Sequence, residues 1–112
     1  MRYKYIRLQE LYLVAANEAQ PVWQAIDIGG FKTLVVMKRT AVAAATSGTL
    51  GLQHSALNDE ASFVDVGIGD FSLTVAGNAA YVHTNLLRFV RWRVWNIGSN
   101  AQFLIDAIAK EN

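Results

Sequence analysis

Few residues in this sequence are of the types that do covalent chemistry. The imidazoles are His54 and His83, and there is no cysteine to act as a thiolate or a zinc ligand. A nucleophilic triad needs a hydroxyl or thiol beside a histidine that a third group orients. Neither histidine sits in a nucleophile motif. His54 runs in phase with Leu50 and Leu52, which reads as a half-buried, hydrogen-bonded strand histidine. Asp59, Glu60, Asp65 and Asp70 fall close together, and calcium wants several oxygen ligands. Their spacing matches no dedicated calcium loop, and solvated turns account for them. Arg88, Arg91 and Arg93 interleave with Trp92 and Trp95 like a nucleic-acid strip, but the alternation puts Arg88 on the same face as the core set. Gly29-Gly30 and Gly67-Ile68-Gly69 lack the following helix that a phosphate loop requires. Trp23, Tyr81 and Trp95 are the candidates for a sugar-stacking platform. No catalytic, cofactor-binding or metal-binding residue is therefore assigned, and the chain is not expected to be an enzyme.

The elements that must position these residues are strands. The chain has 112 residues, 53% hydrophobic and 17% charged, with a net charge of +1. That length suits a single domain spanning residues 1–112, and the charge gives no general attraction to nucleic acid. The opening MRYKYIRLQE is too polar for a signal peptide, and no apolar run approaches membrane-spanning length. A soluble product made in the cytoplasm is expected, with no membrane partner. Tyr3–Val14 is strand-like, and Pro21 ends the break that follows it. Further strands are expected over Val22–Ile28, Phe31–Arg39, Leu50–Ser55, Ser62–Val66, Phe71–Val75 and Tyr81–Thr84. Thr40–Thr49 is small-residue loop. About eight short strands with frequent turn signals predict an all-β antiparallel β-sandwich, jelly-roll-like or Ig-like. Residues 1–20 form an N-terminal arm or an added strand.

The stretch from Leu86 to Lys110 reads as a long antiparallel hairpin with Gly98-Ser99 at its tip. That register opposes Trp92 with Ile105 and Arg91 with Asp106. It places Val90, Trp92, Val94, Phe103, Ile105 and Ala107 on one, inward face. The other face carries Phe89, Arg91, Arg93, Trp95, Leu104 and Ile108, too apolar to meet only water. These six residues are the expected protein interface, covered by the chain itself or by a partner.

The ordered set Leu50-Gly51-Leu52-Gln53-His54-Ser55, an acidic loop, and Ser62-Phe63-Val64-Asp65-Val66 resembles a signature of small β-sandwich structural proteins from tailed phages, prophages and phage-derived particles. Leu87-Arg88-Phe89-Val90-Arg91, a Gly-Ser-Asn turn and a last apolar strand continue it. Asp27-Ile28-Gly29-Gly30-Phe31 fits an earlier part of the pattern. The likeness covers roughly residues 22–109; Ala56-Leu57 departs from it where acids commonly stand. It implies a non-enzymatic head-decoration, capsid-associated or tail-accessory protein of a virion or phage-like particle, and transfers no catalytic residue and no cofactor. The expected partners are other copies of the chain or other virion proteins. A carbohydrate-binding or host-adhesion module on the same kind of sandwich is the alternative.

Overall fold

A computed structural model describes residues 2–111. The strands are β1 (Tyr3–Val14), β2 (Glu18–Ala19), β3 (Ile26–Asp27), β4 (Thr33–Val42), β5 (Thr49–Ser55), β6 (Val64–Asp65), β7 (Phe71–Ser72), β8 (Gly77–His83), β9 (Phe89–Trp95) and β10 (Ala101–Lys110). They form two antiparallel sheets. One has the order β1-β10-β4-β8; the other runs β2-β9-β5-β6, with β3 also on β9 and β7 also on β5. Taking β2 with β3 and β6 with β7 as two broken strands leaves eight, and the order is then that of a jelly roll, in which the chain crosses between sheets at almost every connection. The expected all-β sandwich is the fold observed. Val22–Ile28 departs from expectation. Behind Pro21 the amides of Gln24 and Ala25 bond to the carbonyls of Pro21 and Val22, making a 3-10 turn at Val22–Gln24, and only Ile26–Asp27 pairs.

The hairpin expected over 86–110 is absent. β9 and β10 lie in different sheets, β9 between β5 and the β2–β3 pair, β10 between β1 and β4. Residues 96–100 arch across the end of the sandwich. There the Ile97 amide bonds to the Asn17 side chain, the Gly98 amide to the Ser47 carbonyl, and the Ser99 hydroxyl accepts from the Ala45 amide. Trp92 therefore stands opposite Leu52, and Ile105 is flanked by Gln9 and Lys38. The inward set was nonetheless right: Val90, Trp92, Val94, Phe103, Ile105 and Ala107 are all buried. A hairpin and a sheet-crossing arch impose the same period-two alternation on each strand. Here the two inward faces meet through the core, with Trp92 and Phe103 edge to face at 5.3 Å between ring centres.

β1 is a true strand of its sheet, paired along β10 from Tyr3↔Lys110 to Val14↔Ala101 with two bulges. Buried Gln20 ties it to the opposite sheet. Its amide bonds to the Trp92 carbonyl, its Oε1 accepts from the Trp92 amide, and its Nε2 donates to the Leu8 carbonyl.

Candidate interaction surface

The six residues expected to share one face are split between the two outer faces of the sandwich. Phe89, Arg91, Arg93 and Trp95 point outward from the β5–β9 sheet; Leu104 and Ile108 point outward from the β10–β4 sheet. The expected Arg91–Asp106 pair does not form, because those residues lie in different sheets.

The first of these faces is covered by the chain itself. Residues 56–72 leave β5, make a 3-10 turn at Glu60–Ser62, and return as β6 and β7 along the other side of β5. Asp59 caps the turn, accepting from the Ser62 amide at 3.0 Å. Phe63 then lies over Arg91, whose guanidinium sits 4.5 Å from the ring centre. Arg91 is only 4% exposed. Its Nε donates to Gln53 Oε1 at 2.8 Å and its Nη1 to the Gln20 carbonyl at 3.1 Å, with a further ion pair to Glu60. Beside it Arg93 bonds Asp65 at 2.8 Å and stacks on Trp95, and Gln53 Nε2 donates to the same carboxylate at 3.0 Å. Gly51 keeps this layer close: a Cβ there would stand 2.4 Å from the Asp70 carboxylate and 2.8 Å from the Trp95 ring. Burial, and secondly the charge of Asp65, push the Asp70 carboxyl above its ordinary range. Of the acids considered for calcium, Asp59 caps a turn, Glu60 and Asp65 form ion pairs, and Asp70 lies against Gly51. Among the described residues no three acids or imidazoles gather to hold a metal.

Among the described residues the other outer face has no such cover. Strand register arranges it in rows. Tyr5, Ile108, Val35 and Val82 stand side by side across β1, β10, β4 and β8. With strands about 4.8 Å apart, this apolar row runs roughly 14 Å. The next row is Arg7, Asp106, Met37 and Ala80, and the next contains Leu104, Arg39 and Asn78. Tyr5 is 60% and Val82 51% exposed. Asp106 is held within the face by the Tyr5 hydroxyl at 2.6 Å and by an ion pair with Arg7. Bonds to the Tyr5 hydroxyl, then to Asp106, raise the Arg7 guanidinium further above the neutral range, so it stays charged. A shallow depression of about 510 Å³ lies over the second and third rows, lined by Arg7, Met37, Arg39, Ala80, Leu104 and Asp106 among others.

The remaining candidates scatter. Trp23 stands 77% exposed on its 3-10 turn. Trp95 belongs to the covered face, and Tyr81 faces inward beside His83, so these three aromatics build no common sugar platform. Arg88 pairs with Asp27 at the surface. His54 and His83 come within electrostatic reach of each other at one end of the interior. Burial lowers both, and in His83 the charge of His54 adds to it. His54 Nδ1 accepts from the Leu87 amide at 3.2 Å, while His83 Nδ1 is buried without a partner. Neither bonds a serine or a carboxylate among the described residues, which leaves no activated nucleophile there.

Comparison with solved structures places the architecture. The chain aligns over 96% of its length, and over 94% of the other's, with an SPBc2 prophage-derived protein, YomS, at a TM-score of 0.57 and 11% identity. Its fold is similar to that of a prophage protein. A structure titled as Bacillus endospore appendages matches at TM-score 0.44 and 10% identity, over 100% of this chain and 93% of that one. A domain titled BiXyn10A CBM1 matches at 0.43 and 16%, over 88% and 62%. Both are too loose to bear on function. No family profile matches this sequence, and no curated protein matches it.

Proposed function

We propose that this chain is a structural subunit of a phage virion or phage-like particle, and that it assembles by burying the outer face of the β1-β10-β4-β8 sheet against another protein chain. The observation that carries the reading is the contrast between the two outer faces. The chain spends residues 56–72 covering one, yet leaves an apolar row crossing four strands on the other. Contiguous apolar surface of this kind, edged by polar and charged side chains, is the anatomy of an interface. Leu104 and Ile108 belong to it, with Tyr5, Val35, Met37 and Val82; Arg91 is interior and Phe89, Arg93 and Trp95 lie with the covered face. The ordered signature through Leu50–Val66 and the fold shared with a prophage protein support the particle setting.

The test is incorporation. Particles purified from the producing strain should carry the wild-type chain. Substituting Tyr5 and Ile108 together with serine should leave the chain folded and unincorporated. Incorporation of the double variant at the wild-type level would refute the assignment of this face.

A further inference from the structure

The sheet that carries the open face also has an unguarded edge. Exposed strand edges pair with other chains, and proteins blunt them with charge, proline, bulges or brevity. Three of the four edge regions here are blunted. β1 is interrupted by bulges on either side of Gln9 and carries Lys4, Arg7 and Glu10. The β2–β3 and β6–β7 sides of the other sheet consist of two-residue strands. β8 has none of these devices. Gly77-Asn78-Ala79-Ala80-Tyr81-Val82-His83 contains no Lys, Arg, Asp, Glu or Pro, and its pairing with β4 runs without a bulge from Gly77↔Thr40 to His83↔Leu34. Among the described residues, no hydrogen bond beyond the β4 ladder reaches the main chain of Asn78–Val82.

We infer that β8 pairs antiparallel with β8 of a second copy of this chain, about a two-fold axis through Ala80, joining two four-stranded sheets into one of eight strands. The inference rests on the reading of this sheet as an assembly surface, but a different feature, the edge, carries it. The strand's own sequence selects the partner and the register. Same-face residues must oppose each other across the joint. An axis at Ala80 uses all seven residues and opposes Tyr81 with Ala79 and His83 with Gly77, large against small on the inward side. On the outward side it opposes Asn78 with Val82 and Ala80 with itself. An axis at Tyr81 would set two phenol rings against each other, and an axis at Ala79 would carry the pairing beyond the strand. A two-fold contact closes on itself, so the edge is consumed and no fibre follows. The two open faces then become one continuous surface.

The absence of cysteine from the sequence makes the register directly readable. Directly opposed residues in an antiparallel pair have Cα atoms about 4.5–5.5 Å apart, inside the window for a disulfide. Asn78 and its copy would stand four residues apart along the joint, about 13 Å. The wild type should sediment as a dimer, and Ala80→Cys should form a disulfide-linked dimer under mild oxidation. Asn78→Cys and Val82→Cys should stay uncoupled when alone and cross-link when mixed. A wild type that is monomeric at every concentration overturns the proposal. So does an Ala80→Cys chain that stays uncoupled, or an Asn78→Cys chain that couples alone as fast as Ala80→Cys. The edge and the face fail separately: particle incorporation lost on substituting Tyr5 and Ile108, with no coupling through residue 80, removes the edge contact and keeps the face.

Discussion

The outer faces of the two sheets are made of comparable material: arginines, aromatic rings, aliphatic side chains and a few acids. On the β5–β9 sheet the central arginine, Arg91, ends under Phe63 with its donors shared among Gln53, Gln20 and Glu60. On the β10–β4 sheet the corresponding polar pair, Arg7 with Asp106, stays partly exposed between an apolar row and a shallow depression. What separates them is chain length in the connections. The residues between β5 and β8 are numerous enough to fold back over one sheet; β10 and β4 are joined to their neighbours by arches that leave the face bare. Composition of a strand's outward positions therefore marks a face as apolar, and the loops decide whether the chain itself covers it.

The comparison can be broken at several points, beginning with the layer both faces stand on. Trp92→Ala removes a ring that is 1% exposed and packed on Tyr12 and Phe103. It should cost about 3–5 kcal/mol in urea denaturation. Arg91→Ala should cost about 2–3 kcal/mol, because it strands buried partners rather than a surface pair. A cost within the scatter of surface substitutions would mean that residues 56–72 do not hold that face. A smaller effect should come from pH. His54 and His83 are both lowered by burial, so the unfolded chain takes up protons first as pH falls below about 6.5. Their contribution is full above that value and is lost as pH falls through the lowered folded values. Urea midpoints at pH 7.5 and 5.5 should show the loss, and replacing His83 with Gln should shrink the difference. Tyr5→Ser, on the open face, should change stability by no more than about 0.5 kcal/mol. A larger loss would show that the face is working for the fold instead of for assembly.

Much of this was legible in the strands and little of it in their neighbours. Period-two alternation identified the inward residues of β9 and β10, because burial on one side is a property of each strand alone. It could not say which strands lie side by side. Arg91 and Asp106, opposite in charge and well placed for a hairpin, satisfied a local rule while their real partners lay elsewhere in the chain: Glu60 and Gln53 for one, Arg7 and Tyr5 for the other. The five-residue span Asn96–Asn100 was the available warning, since the tightest hairpins close in two. Phe63, standing just after an acidic loop, was the one sequence sign that something would lie over an outward arginine. The open face was visible only as an excess of apolar outward residues, and four of the six residues assigned to it belonged to the other sheet.

The pairing of the first strand with the last has a consequence for how the molecule is made. Tyr3–Val14 leaves the ribosome ahead of the rest of this domain, but its ladder is completed by Ala101–Lys110. At about 5–20 residues per second, the intervening chain takes on the order of ten seconds to appear. For that interval Tyr3, Tyr5, Leu11 and Leu13 ride on a strand with no partner, and Ile6 and Leu8 have no core to enter. Contacts so distant in sequence also close slowly once the chain is complete. The domain is therefore at greatest hazard before Ala101–Lys110 emerge, and a nascent-chain chaperone would find a site on Tyr3–Val14.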